Sequence, residues 1–429
     1  MKLKFHPTHP ILNQDHVGSS MWWEQIKDIQ NPLITDQDNH IQCHFIYRKK
    51  NSDHHVLIDI YSQTPSVYEQ WNLFHCIENT DVCVYEIALP RDWFGSYVIV
   101  ETVEHPPLTT IAAERRAWWV QQLQQCAQVD PYNAYPSYKG QIAAVIHQMY
   151  AVDEFPIISK SNSLNRYQSK SWHSEILNTC YQIDIYTTED HKSLQETPFD
   201  LPLILFLDGQ LWSQQSALHT KLAQHTILHR IKPAMYVLIH SAFERRQHDY
   251  GCHDQFSHAV VNELIPWLQQ WQANIDLNQV SLIGQSLGGL CAIHSSILYP
   301  NTFQHVVAQS GAYWWSDLTH SPFLQSQRDA YHSAAHKPPI GTQTTSTSDV
   351  QTTPDFNHLI QPHLAAYSTS TQFHMSAGQC ESDMYELSQQ LDLQFKHHGI
   401  HSNFHPFYGG HDPVHWHHDL LNTLQHILA

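Results

Sequence analysis

Val280-Ser281-Leu282-Ile283-Gly284-Gln285-Ser286-Leu287-Gly288-Gly289-Leu290-Cys291-Ala292-Ile293-His294 is the stretch on which the fold turns. The run 280–283 is apolar apart from one serine and predicts a buried strand, and the apolar run that follows predicts a helix over 287–298. Between them, Gly284 and Gly288 bracket Ser286. Small residues two positions before and after let the chain reverse sharply, so that the serine hydroxyl projects beyond the strand end. The amide of Leu287 opens the helix, where the positive end of the dipole favours developing negative charge. A serine nucleophile with half of an oxyanion hole beside it fits this pattern; the bland alternative is a glycine-rich turn without chemistry.

Outward from this turn, strands and helices alternate. Strands are expected at Tyr181–Thr187, Leu201–Leu207, Met235–His240, Gln279–Gly284, His305–Gln309, Gln372–Ser376 and Asn403–Phe407. Helices are expected at Trp212–Ala223, Gln255–Gln270, Leu287–Leu298, Met384–His397 and Pro413–Ile427. Alternation of this kind implies a mostly parallel sheet with helices on both faces. The first third reads differently. Short β-branched or alternating runs at Cys43–Arg48, Val56–Tyr61, Val82–Leu89 and Ser96–Val103 predict a β-sandwich, followed by an amphipathic segment, Arg115–Ala127. The expected division is a sandwich domain over 1–158, a Ser-rich linker over 159–171 and an α/β domain over 172–429. Within the latter, the Thr/Ser-rich stretch 336–354 is too polar to bury and reads as a mobile surface insertion.

A serine hydroxyl is a weak nucleophile, and in α/β-hydrolases the base and acid follow it in the order Ser, acid, His. Phe407-Tyr408-Gly409-Gly410-His411-Asp412 stands after the last strand, and its glycines release an imidazole just before the final helix. His411 is the expected base. The acid should follow the preceding strand, where Ser376-Ala377-Gly378-Gln379-Cys380-Glu381-Ser382-Asp383 offers two carboxylates. Glu381 is the first choice and Asp383 the reserve. The loop Leu207-Asp208-Gly209-Gln210 supplies a second oxyanion donor, the amide of Gly209 or Gln210, beside that of Leu287.

Bulk composition narrows the setting. The 429 residues carry 22 Lys and Arg against 40 Asp and Glu, a formal charge of −18, which disfavours nucleic acid or an anionic membrane as partner. No run reaches the ~20 apolar residues of a membrane helix, and the amino-terminal stretch lacks the apolar core of a secretion signal. A cytoplasmic protein is expected. Its eight cysteines (Cys43, Cys76, Cys83, Cys126, Cys180, Cys252, Cys291 and Cys380) contain no CxxC pair and read as free thiols. The 36 histidines produce clusters such as His415-Trp416-His417-His418 without the spacing of a metal site, so no metal and no cofactor is expected. Oligomeric state is not legible.

These motifs resemble those of the enterochelin esterases, a branch of the α/β-hydrolases. The resemblance rests on Leu207–Gln210, Val237-Leu238-Ile239, Gly284–Leu290, Gln309-Ser310-Gly311-Ala312-Tyr313-Trp314-Trp315 and Gly409–Asp412. It extends to Trp22-Trp23, Trp93-Phe94-Gly95-Ser96-Tyr97 and Asp130-Pro131-Tyr132-Asn133, which look like that family's amino-terminal sandwich of the immunoglobulin-like, E-set type. The implied substrate is a ferric catecholate siderophore, a trilactone opened by the enzyme, with iron present only as part of that substrate. An anionic aromatic complex calls for cations and flat walls. Arg246 matches the family arginine near the site, with Arg245, Trp314, Trp315 and His417 as further substrate contacts. His253 stands where relatives often have Asn, and His417 where they often have Arg. Two rival readings are a feruloyl or acetyl-xylan type carbohydrate esterase and a non-catalytic catecholate-binding protein on the same scaffold.

Overall fold

The computed structural model describes residues 7–133 except 30, 92 and 129, then 168–188, 200–213, 218–326 except 243 and 273, and 356–429 except 366; of 143–145 it describes the backbone. The expected insertion over 336–354 and the linker positions 159–167 lie outside the described residues. The chain divides into two compact units, Met1–Ile157 with Tyr408–His415, and Ile158–Phe407 with Trp416–Ala429.

The first unit is built on two antiparallel sheets. One comprises β1 (Leu33–Asp36), β2 (His40–Arg48), β4 (His75–Cys76) and β5 (Val82–Pro90), in the order β1-β2-β5-β4. The other runs β3 (His55–Ile60), β6 (Gly95–Thr102) and β7 (Ala127–Gln128), with β8 (Ala143–Val145) also paired to β6. Ile41, Cys43, Phe45 and Tyr47 alternate along β2 and meet Val56, Ile58 and Ile60 of β3 and Tyr97 and Ile99 of β6 in one core. This is the period-2 signature of a sandwich. The outer faces are not left to water. Ile46, Val82 and Val84 pack under Trp22, Trp23 and Ile26 of helix α1 (Ser20–Lys27), and Leu57, Val98 and Val100 pack under Trp119 of α2 (Ala112–Cys126). Helix α1 escapes a sequence reading because it is eight residues long. Its stability comes from burying two tryptophans rather than from propensity.

The second unit carries an eight-stranded sheet. Its strands are β9 (Gln168–Ser174), β10 (Thr179–Thr187), β11 (Leu201–Phe206), β12 (Met235–Ile239), β13 (Ile275–Gln285), β14 (His305–Gln309), β15 (Gln372–Gly378) and β16 (Ser402–Phe407). They lie in the order β16-β15-β14-β13-β11-β12-β10-β9, parallel from β11 to β16, with β10 and β9 antiparallel at one edge. Successive residues of β11 feed opposite cores: Leu203 and Leu205 into one, Ile204 and Phe206 into the other. The helices are α3 (Leu218–Ile227), α4 (Arg246–Tyr250), α5 (Asp254–Ala259), α6 (Ile265–Trp271), α7 (Leu287–Leu298), α8 (Phe356–Leu364), α9 (Asp383–His397) and α10 (Pro413–Ile427). Buried residues of α7, α8 and α9 join the first of these cores, and those of α3 and α10 the second.

Several expectations are corrected. Residues 168–171 of the expected linker form part of β9, because antiparallel pairing with β10 (Ser171 opposite Gln182) satisfies their backbone. The helix expected from Trp212 is described from Leu218; Trp212 instead closes a 3-10 turn, Gly209–Leu211, and donates its indole N–H to Gln285 at 3.1 Å. The single helix expected over 255–270 widens into a π turn at Val260–Leu264, immediately before Pro266, whose missing N–H cannot continue the ladder. Cys76 and Cys83 are not free: they face each other across β4 and β5 and form a disulfide. The other six cysteines are free.

Candidate active site

Ser286 sits between β13 and α7 with φ 57° and ψ −122°, a backbone conformation that L-residues rarely adopt. Neighbours hold it there. Its N–H donates to the carbonyl of Gln309 at 2.9 Å, and its own carbonyl accepts from the amides of Leu290 and Ala312, both at 3.1 Å. The turn tolerates nothing larger than glycine at 284, since a Cβ there would lie 2.1 Å from the carbonyl oxygen of Gly288. Leu287 is the first residue of α7, so its amide has no acceptor within the helix.

The loop after β11 is anchored by a buried carboxylate. Asp208 is 1% exposed and left-handed, with φ 52°. Arg246 grips it from α4, Nε at 2.8 and 3.0 Å from its two oxygens and Nη2 at 2.6 Å from one. The Ser241 hydroxyl donates to it at 2.5 Å, and the Asp208 amide donates to the Tyr250 hydroxyl at 3.1 Å. Gly209 follows directly, so the position of its amide is set by this network. The side chain of Gln210 is taken up by Ser241, through Nε2 to Oγ at 2.8 Å and Oε1 from the amide at 3.0 Å.

The two candidate acids differ sharply in surroundings. Glu381 is buried, and its Oε1 accepts from the Ser310 hydroxyl at 2.6 Å and the Gly378 amide at 2.7 Å. Ser310 is fixed in turn by the indole N–H of Trp416 at 2.9 Å. Asp383 is exposed and opens α9. The sequence places Ser310 within the Gln309–Trp315 motif, but only the fold ties its hydroxyl to the acid.

His411 is half-buried and lies in the segment Tyr408–His415 that belongs to the first unit. There its amide donates to the Ser62 hydroxyl at 3.0 Å. Its neighbour Asp412 is buried and accepts from both the amide and the hydroxyl of Ser96, each at 2.6 Å, and from the amide of Val414 at 2.9 Å. Gly410 lies so close to Ser62 that a Cβ would meet it at 1.9 Å. The two glycines before the histidine thus serve close packing, beyond the flexibility the sequence suggests.

The remaining expected contacts are placed as follows. Arg246 has two of its nitrogens committed to Asp208, and Arg245 pairs with buried Asp249 at 3.2 Å. Trp314 is 46% exposed, whereas Trp315 is partly buried against the core and donates to the Asp317 carbonyl at 2.8 Å. His417 is buried in α10, stacked on Trp212.

A parallel sheet whose central strand delivers a strained serine to a helix N-terminus defines an α/β-hydrolase of the esterase class. A model of the family described as putative esterase matches residues 174–427, and one described as the enterochelin esterase N-terminal domain matches residues 42–152. The chain therefore belongs to the esterase family, in its enterochelin esterase branch, and is a hydrolase acting on esters. It is similar to the iron(III) enterobactin esterases of Dickeya dadantii (28% identical over 330 residues, 72% of this chain and 74% of that protein) and Escherichia coli K12 (28% over 324 residues, 73% and 74%). It also matches the iron(III) salmochelin esterase of Escherichia coli O6:H1, 22% identical over 413 residues, 94% of this chain and 92% of that one. The solved enterobactin esterase of Shigella flexneri, in the presence of enterobactin, gives a TM-score of 0.71 at 24% identity over 96% of this chain and 98% of its own. The ferric enterobactin esterase of Salmonella typhimurium gives 0.71 at 23%, over 95% and 98%. At such identities these structures speak for the fold.

Proposed function

We propose that this chain hydrolyses the ester bonds of ferric catecholate siderophores of the enterobactin type, with Ser286 as nucleophile, His411 as base and Glu381 as acid. The observation that carries the chemistry is the strained backbone of Ser286 at the start of α7. Support for the substrate comes from the enterobactin and salmochelin esterases to which the chain is similar along most of its length.

In this reading the imidazole of His411 takes the Ser286 proton as Oγ attacks the lactone carbonyl. The amides of Leu287 and of Gly209 or Gln210 hold the oxyanion, each worth ~10²–10³ in rate. The departing serine alkoxide takes the proton back from His411, and water then hydrolyses the acyl-enzyme by the same route. Glu381 orients the imidazole and stabilises its protonated form. Between the two acids, burial and a preformed hydrogen-bond frame favour Glu381 over exposed Asp383. Iron takes part as cargo of the substrate, and the chemistry uses no cofactor. The six free thiols favour a cytoplasmic setting, and the Cys76–Cys83 disulfide counts against it.

The test compares hydrolysis of a ferric tri-catecholate trilactone and of a feruloylated sugar by the wild type, Ser286→Ala and His411→Ala. Trilactone cleavage should fall by at least ~10⁴ in either variant. Preference for the sugar would replace the siderophore reading with a carbohydrate esterase. Turnover unchanged in Ser286→Ala would remove the catalytic one.

A further inference from the structure

A site that neither the ester chemistry nor the relatives' names account for lies in the second unit, where two separate segments bring three imidazoles together. His248 is on α4, His253 caps α5, and His320 comes from the loop that follows β14. One ring nitrogen from each lies within 4.8 Å of one from each of the others, and this is the one such His, Cys or carboxylate group of three among the described residues. Ring centroids are 4.4 Å apart for His248 and His253, 4.3 Å for His248 and His320 and 5.1 Å for His253 and His320, so the three form a compact triangle.

Two features set this triangle apart from the accidental pairs that a histidine-rich chain produces. His253 is 8% exposed, and its Nδ1 is buried without a hydrogen-bond partner. An imidazole nitrogen left so costs stability unless something else fills it. His248, in turn, has its Nδ1 2.8 Å from Oδ1 of Asp249, a carboxylate that is 1% exposed and also accepts from the Tyr181 hydroxyl at 2.8 Å. A carboxylate behind Nδ1 fixes the tautomer and leaves Nε2 as the lone-pair nitrogen, the arrangement that backs metal-bound histidines.

The two segments are also locked to each other. The amide of Asp254 donates to the His320 carbonyl at 3.1 Å, and the Asp254 carboxylate accepts from the Ser321 hydroxyl at 2.6 Å and the Phe323 amide at 3.1 Å. The rings therefore stand ready rather than being gathered by the ligand. Metal–nitrogen bonds of ~2.0–2.1 Å in a tetrahedron set ligand nitrogens about 3.4 Å apart, against the 4.8 Å within which these nitrogens already lie. His248 is more open than His253, its side chain 39% exposed, which leaves room for water as fourth ligand.

We infer that His248, His253 and His320 form a binding site for one divalent transition-metal ion of the kind that imidazole ligands hold, with zinc as the first candidate. The ion clamps the loop after β14, with Trp314 and Trp315 upon it, to α4 and α5. Its role is structural and separate from ester cleavage.

The experiment uses the full chain stripped with chelator and titrated with Co(II) and with Zn(II), read by the visible d–d bands of low-coordinate cobalt and by calorimetry. The wild type should take up one tight equivalent of either ion and gain in melting temperature. His320→Ala and His248→Ala replace partly exposed side chains and should each weaken that equivalent by at least ~100-fold, with circular dichroism unchanged. His374→Ala, which breaks a second close pair, His305 and His374 at 3.1 Å, should leave it intact. Absence of a tight equivalent in the wild type, or its survival in both His320→Ala and His248→Ala, would overturn the site.

Discussion

Replacing Arg246 with methionine separates two roles that the sequence leaves merged. As a surface cation meeting an anionic substrate, Arg246 would matter to binding alone. The structure instead commits its Nε and Nη2 to Asp208, whose carboxylate is 1% exposed and retains the Ser241 hydroxyl as a further donor. Removing one member of a buried ion pair costs ~3–5 kcal/mol, because the other charge stays in low dielectric without compensation. Here the arginine side chain is 29% exposed and Ser241 remains, so the lower end applies, ~3 kcal/mol. In a body of this size ~1 kcal/mol moves the melting temperature by ~2–4 °C, giving a fall of ~6–12 °C. Asp208 adjoins Gly209, so kcat should drop for a small neutral ester and for the ferric trilactone by similar factors. Thermal unfolding, with kcat/KM on p-nitrophenyl acetate and on the trilactone, measures both. The double variant Asp208→Asn with Arg246→Met should recover much of the lost stability, since it removes the stranded charge. A melting temperature unchanged within ~1 °C, together with a loss confined to the anionic substrate, would refute the anchoring argument.

Other outcomes follow from single residues. Ser286→Gly should unfold ~1–2 kcal/mol later than Ser286→Ala in urea, because glycine adopts φ 57° and ψ −122° without strain; equal stabilities would mean the turn stores none. Glu381→Gln should lower kcat by ~10²–10⁴ while Asp383→Asn stays within about twofold, and the reverse ranking in steady-state assays would move the acid to Asp383. In the first unit, burial, and secondarily the nearby carboxylate of Asp412, push Asp59 up to about 6. Its folded value lies above the unfolded one of ~3.9, so its contribution is complete below about pH 4 and lost as pH rises through about 6. Asp59→Asn should therefore match the wild type at about pH 4 and exceed it by ~1–3 kcal/mol at about pH 7, and a gain independent of pH in urea titrations would contradict this.

Periodicity carried the sequence reading furthest where burial is complete. Strands β11, β12 and β14 are buried along their whole length and read as mostly apolar runs, whereas the edge strand β16 is partly exposed and mixed in composition; helix α7 and strand β14 fall where the pattern puts them. The turn at Ser286 was legible for a local reason: the backbone conformation depends on residues within two positions of it, and only small ones fit. Chain order alone narrowed the acid to Glu381 or Asp383, since a carboxylate looks the same in sequence whether it is buried or exposed.

What the sequence could not supply are relations between distant positions. The commitment of Arg246 to Asp208, the hold of Ser310 on Glu381, the grip of Ser96 on Asp412 and the triangle of His248, His253 and His320 each join separate elements. Local composition determines whether a residue is in a strand, a turn or a helix, because those conformations are selected by near neighbours. Desolvation and partnership decide what a charged or nucleophilic group can do, and they exist only once the chain has brought its remote parts into contact.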